Sequence, residues 1–195
     1  MEGAVSMGKV IVEAEVSLDG VVGGENMDFW SQLFQFHTPD VQEYLDNLLF
    51  MPDALVMGRE TYQGFAEVWP TREGKLADRI NSMPKYVASR TLSGPLEWNA
   101  TLLAGNLADS VSSLKDKHHG NLVVSGAGEL ARELMAHGLV DEVWFTVSPY
   151  LWASGPRIFE DVGDVRLELV STTTFPSGVV RLCYRPAPAG TSSTG

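Results

Sequence analysis

A single cysteine in 195 residues, Cys183, excludes an internal disulfide and any metal site built on several thiolates. Cations are also scarce. Lys and Arg number 14 against 25 Asp and Glu, for a formal net charge of −11. A general nucleic-acid binder needs a basic face to displace counterions, so that class is set aside. An anionic small ligand stays open, because a few local cations can dominate one pocket. No apolar run approaches a membrane span. Residues 1–7 lack the charged and apolar regions of a signal peptide and read as a leader. Residues 186–195 are all Pro, Ala, Gly, Ser or Thr, and read as a flexible tail. With no repeat or long linker, residues 8–185 read as one domain, and a cytoplasmic location is the simple expectation.

What is present alternates between two periods. Lys9–Leu18 reads as a first, central strand ending at Asp19-Gly20. Val21–His37 reads as a long loop, Gly-rich and then aromatic. Thr38-Pro39-Asp40 has the form of a helix start, and Val41, Leu45, Leu48 and Leu49 mark that helix's buried stripe until Pro52. Strands are expected at Ala54–Met57, Lys85–Ser89, Thr101–Leu103 and Asn121–Ser125, and helices at Arg59–Glu67, Leu107–Leu114 and Glu129–His137. Gly138 suits a helix C-cap. The last third changes to strands at Glu142–Val147, Arg166–Thr173 and Val179–Arg185, the last two joined by a turn at Phe175-Pro176-Ser177-Gly178. Cys183 falls in this pattern as a structural or half-exposed thiol. Strand–helix alternation followed by antiparallel strands predicts an α/β class with a mixed sheet flanked by helices.

Three strand ends carry chemistry. Val56-Met57-Gly58-Arg59-Glu60-Thr61 runs from an apolar strand through glycine into a helix. Free amides, a cation (Arg59) and a hydroxyl (Thr61) thus meet at a helix N-terminus, which suits a phosphate. Val87-Ala88-Ser89-Arg90-Thr91 ends a strand with two hydroxyls around an arginine, a set that suits the 2′-phosphate of an adenosine ribose. Val124-Ser125-Gly126-Ala127-Gly128 closes a strand and opens a helix with glycines that let amides approach a pyrophosphate. The span Gly126–Ala131 also fits G-x-G-x-x-A, but it follows a late strand and lacks the acid at the end of the next one, so it reads as a phosphate-binding terminus outside a Rossmann domain. Each stretch taken alone also fits a plain surface turn or close helix–sheet packing.

In this order the stretches resemble the dihydrofolate-reductase-like fold. More closely, the chain resembles the C-terminal reductase domain of the bifunctional riboflavin-biosynthesis deaminase–reductase. The likeness starts at Val16-Ser17-Leu18-Asp19-Gly20 and continues through the three strand ends. It closes with Leu139–Val143, Pro149-Tyr150-Leu151 and Gly155-Pro156-Arg157-Ile158-Phe159. The resemblance implies a mixed sheet of about eight strands with helices on both faces, NADPH as cofactor, and a homodimer formed partly by the C-terminal strands. It implies that Gly58, Arg59 and Thr61 hold phosphates, Ser89 and Arg90 meet the 2′-phosphate, and Ser125, Gly126, Ala127 and Gly128 cradle the pyrophosphate. Ser125 stands where the riboflavin enzymes commonly carry an acid, and the His and paired cysteines of a deaminase half are absent.

Hydride transfer requires an acceptor held against the nicotinamide with water kept out. Trp30, Phe34 and His37, on the Gly23–His37 loop, are the expected wall of the acceptor pocket, equally readable as core or interface residues. Asp19, at a strand end beside glycine, is the expected general acid, with a pKa raised by its cleft. No metal site is expected. Two functions follow: an NADPH-dependent reductase of a small planar heterocycle (a pterin, flavin precursor or pyrimidine-like ring), or a non-catalytic dimeric binding module of the same fold.

Overall fold

A computed structural model describes residues 8–23, 28–126 and 128–188. The leader, most of the tail and Ala127 lie outside those residues. The chain enters through β1 (Val10–Ser17), whose burial alternates toward its end between two faces. Val10, Val12, Ala14 and Val16 are buried on one face, while Ile11, Glu13, Glu15 and Ser17 occupy the other. Further strands follow as β2 (Ala54–Gly58), β3 (Lys85–Ala88), β4 (Ala100–Leu102), β5 (Leu122–Ser125), β6 (Glu142–Ser148), β7 (Leu167–Thr174) and β8 (Val180–Pro186). They form one sheet in the order β4-β3-β2-β5-β1-β6-β8-β7. All neighbours pair parallel except β8, which runs antiparallel to both β6 and β7.

Helices cover both faces, as parallel strands require. The helices α5 (Leu107–Lys117) and α6 (Glu129–Ala136) bury Val111, Leu114, Leu130, Ala131 and Leu134 against Val10, Val12, Val56 and Val124. On the other face, α2 (Pro39–Phe50), α3 (Arg59–Val68) and α4 (Lys75–Ser82) bring Leu48, Leu49, Tyr62 and Ile80 to Ile11, Leu55, Met57 and Val123. Pro39 sits at the start of α2 as expected, with Thr38 at the N-cap position. The C-terminus of α6 closes as the sequence predicts. Gly138, at φ +66°, donates to the Met135 carbonyl, and the Leu139 amide reaches the Leu134 carbonyl at 3.0 Å, so two otherwise unpaired carbonyls are satisfied. The β7–β8 hairpin turns through Phe175–Gly178, with Gly178 at φ +87°.

Two elements depart from expectation. The stretch read as a loop contains α1 (Asp28–Phe34), which buries Phe29 and Leu33 at i and i+4. Seven residues show only one such pair, too few for a period to stand out. The segment before β3 holds α4, whose buried face is only Ala77 and Ile80. Cys183 is buried on β8.

Leu134 is fully buried between α6 and the sheet. Leu134→Ala is expected to lower stability by about 3 kcal/mol, read as a lower urea midpoint with unchanged slope.

Candidate functional site

Parallel pairing sets which turns meet. Met57 of β2 is level with Ser125 of β5, and Gly58 is level with Ala88 of β3. All three strands run the same way, so their C-terminal turns emerge along one edge of the sheet. There they wall a cleft of about 690 Å3. Gly58, Arg59 and Thr61 line it from the first turn, Ser89 and Arg90 from the second, and Gly126 and Gly128 from the third. Ligands of open α/β sheets bind outside the carboxyl ends of strands for this reason.

The first and third turns interlock. Gly126 has φ +91°, and a Cβ there would overlap the Thr61 hydroxyl. This glycine is therefore required twice, by its backbone and by its neighbour. Gly58 is different: its φ is −75° and a Cβ would meet open space. What Gly58 leaves free is room in the cleft at the N-terminus of α3. Gly128 opens α6 with similar space around it.

Charge in the cleft is mixed. Arg59 pairs with Glu60 at 3.3 Å, and Arg90 reaches Glu129 at 3.1 Å and Glu133 at 3.5 Å. Arg90 is 79% exposed, so these pairs hold it weakly and an incoming anion competes well. The Ser89 hydroxyl accepts from the amides of Thr91 and Leu92, which fixes the turn that presents Arg90.

Sequence reasoning missed a fourth wall. Leu103, Gly105, Asn106 and Leu107 line the cleft from the turn between β4 and α5. Asn106 caps α5 by accepting from the Asp109 amide at 3.2 Å. The signal was present in Gly105-Asn106, a glycine before a capping residue, but such pairs are common at any helix start. Glu129 and Glu133 were missed likewise as residues facing Arg90.

Other expected site residues lie elsewhere. Ser125 is buried, level with Met57 and with Glu13 on the strands to either side, and is not among the residues lining the cleft. Trp30 and Phe34 stack at 5.9 Å, and Phe34 meets the His37 ring at 5.2 Å. Trp30 also meets Phe29 edge-on at 5.1 Å, and Phe29 in turn meets Trp152 at 5.4 Å. None of the three lines the large cleft. His37 instead pairs with Glu15 at 3.1 Å. Burial lowers the His37 pKa, but the Glu15 carboxylate, together with Gln42 and Glu13, raises it, and the net shift is upward.

Asp19 is not the acid expected. Its carboxylate accepts from the Ser17 hydroxyl at 2.7 Å and from the Trp152 and Ala153 amides at 3.1 and 2.9 Å. These bonds favour the charged form and hold the pKa down at about 2. Arg157 donates to the Asp19 carbonyl as well. The Asp19-Gly20 turn thus anchors the segment after β6, including Ala153 at φ 69°. A carboxylate so saturated is no proton donor at neutral pH. Among the described residues, no His, Cys, Asp and Glu group has the arrangement of a metal site, and no helix is long and apolar enough to cross a membrane.

Strand order, the single antiparallel strand within a parallel set, and the cleft at the strand ends define a dihydrofolate-reductase-like α/β protein. The chain belongs to the family of the RibD C-terminal domain, whose model matches residues 8–181. It is 27% identical over 185 residues to YyaP, an uncharacterized protein of Bacillus subtilis (strain 168), covering 90% of this chain and 94% of that one. A solved structure of a protein assigned to riboflavin biosynthesis in Shewanella sp. PV-4 superposes with a TM-score of 0.75 at 22% identity, over 92% of this chain and 99% of that one. Dihydrofolate reductase from Enterococcus faecalis, solved with NADP(H) and RAB-propyl, superposes with a TM-score of 0.61 at 16% identity, over 92% and 97%.

Two outcomes are expected. Gly126→Ala should cost about 1–2 kcal/mol in a urea titration, because alanine is strained at this φ and displaces Thr61. Asp19 has a folded pKa below its unfolded value, so its contribution to stability is present above about pH 4 and lost as pH falls toward 2. Asp19→Asn should remove that part of the acid dependence.

Proposed function

We propose that the chain is an NADPH-dependent reductase of a small planar heterocycle, a pterin, a flavin precursor or a pyrimidine-like ring. The observation that carries this reading is the meeting of four strand-end turns around one cleft. The family supports it, since the RibD C-terminal domain is the reductase half of a riboflavin-pathway enzyme by the resemblance drawn above.

The residues present fit such a cofactor. Helices α3 and α6 point their N-termini at the cleft, where free amides suit phosphate oxygens. Thr61 lies against Gly126, so a pyrophosphate between these turns meets a hydroxyl and amides without a Cβ in the way. In this reading Gly58, Arg59, Thr61, Gly126, Gly128 and Ala127 hold the pyrophosphate. Ser89 and Arg90 take the 2′-phosphate, with Arg90 leaving Glu129 and Glu133 to do so. When bound, the reduced nicotinamide supplies the hydride. The chain's own part is to bind, to orient and to exclude water.

The same reading makes residues 8–185 one cytoplasmic domain acting as a homodimer. Edge strand β7 exposes Leu169 and Val170, the kind of unpaired apolar edge that a second copy covers. Sedimentation of wild type and Leu169→Glu tests this: a dimer that the substitution splits is expected, and a wild-type monomer contradicts it.

NADPH should quench tryptophan fluorescence saturably and bind more tightly than NADH. Arg90→Ala should shrink that preference about tenfold, the worth of a charge-assisted hydrogen bond. Equal affinity of the wild type for both coenzymes contradicts the role given to Arg90. NADPH binding without turnover on any pterin, flavin precursor or pyrimidine favours the non-catalytic module instead.

A further inference from the structure

Glu129 and Glu133 stand four residues apart on α6 and share one face of that helix. Leu130 and Leu134 bury the neighbouring stripe against the sheet, so packing fixes where the two acids stand. Both reach across to the turn after β3. Arg90 Nη1 lies 3.1 Å from Glu129 Oε1, and Nη2 lies 3.5 Å from Glu133 Oε2. Each terminal nitrogen of the guanidinium thus faces its own carboxylate. The Ser89 hydroxyl, accepting from the Thr91 and Leu92 amides, holds the turn itself in place.

These acids are at odds with a cleft that only gathers anions. Two cations, Arg59 and Arg90, line it against three carboxylates, Glu60, Glu129 and Glu133. Arg59 is paired with Glu60, so each arginine of the cleft already has an anion of the protein's own. A bidentate grip on phosphate must reclaim a guanidinium edge from at least one glutamate. A phosphate monoester brings about two negative charges and three acceptor oxygens to that exchange. A sugar hydroxyl brings no charge and leaves the ion pairs standing.

We propose that Glu129 and Glu133 set the cleft's choice between phosphorylated and unphosphorylated ligands: they occupy Arg90 as internal counter-anions, and a phosphate monoester binds by displacing them. The coenzyme side of this inference rests on the dinucleotide reading of the cleft; the hold of the glutamates on Arg90 does not. Both glutamates are positioning residues that act through Arg90. They weaken binding of the coenzyme with a 2′-phosphate, and the form with a free 2′-hydroxyl binds without disturbing them. Arg90 and Glu129 are both largely exposed, so the displacement costs a small factor and the preference for the phosphate is narrowed, not reversed.

A double-mutant cycle read by tryptophan fluorescence quenching tests this. In Glu129→Gln/Glu133→Gln, NADPH should bind about fivefold more tightly, with NADH within about twofold of wild type. When the same two substitutions are made on Arg90→Ala, the gain should fall below about twofold, because the acids then have no cation to hold. A coenzyme-free arm follows the Arg90 Nε–H resonance of the free protein by NMR. Inorganic phosphate should move it saturably, at lower concentration in the double variant, and chloride at equal ionic strength should leave it in place. No gain for NADPH in the double variant, an equal gain for NADH, or a gain that survives Arg90→Ala overturns the proposal. So does a phosphate midpoint that the double substitution leaves unchanged. A wild type that binds neither coenzyme, with the phosphate response as expected, sinks the dinucleotide reading and leaves this result standing.

Discussion

Parallel pairing of β5 between β2 and β1 is the constraint on which everything else depends. It puts Met57, Ser125 and Glu13 side by side on three strands that run the same way. The turns that follow β2 and β5 must then leave the sheet together, and the turn after β3 joins them because Gly58 is level with Ala88. A slip of one residue in any of these pairs turns each side chain to the other face. The leucine and valine faces that α2, α3, α5 and α6 cover make such a slip expensive, so the core sets the register and the register builds the cleft.

The same alignment divides labour between the two sides of β5. On one side, backbone and hydroxyl groups at Gly58, Thr61 and Gly126 leave space and free donors for an anion. On the other, charged side chains on β1 and β8 are drawn inside: Arg181 against Glu13, and His37 against Glu15. In a protein with a net charge of −11, Arg59 and Arg90 stand at the cleft and Arg181 lies buried against Glu13.

Much of this was legible in the chain because it rests on local chemistry. The apolar run Ala54–Met57 stopping at glycine, and Gly138 after the stripe of α6, are signals whose physics lies within a few residues. So were the three turns, each readable from its own glycines, hydroxyls and arginine. Less local features were hidden. The Gly105-Asn106 turn joins the cleft only through sheet order, and α1 and α4 bury too few residues to show a period. Asp19 was misjudged because the Ser17 hydroxyl two residues before it turns back onto its carboxylate, and the amides of Trp152 and Ala153, more than a hundred residues away, complete the set. Glu13 was passed over because one acid in a strand reads as solvated until cross-strand neighbours bury it. Ser125 belongs to the motif that opens α6, yet strand alternation turns it toward Glu13 and Met57.

The central claim is that separate turns act on one bound dinucleotide. Amide chemical-shift mapping during an NADPH titration tests it most directly. Gly58, Ser89, Asn106, Gly126 and Gly128, which line the cleft together, should shift with a single dissociation constant. Shifts confined to one turn, or different constants at different turns, would contradict it.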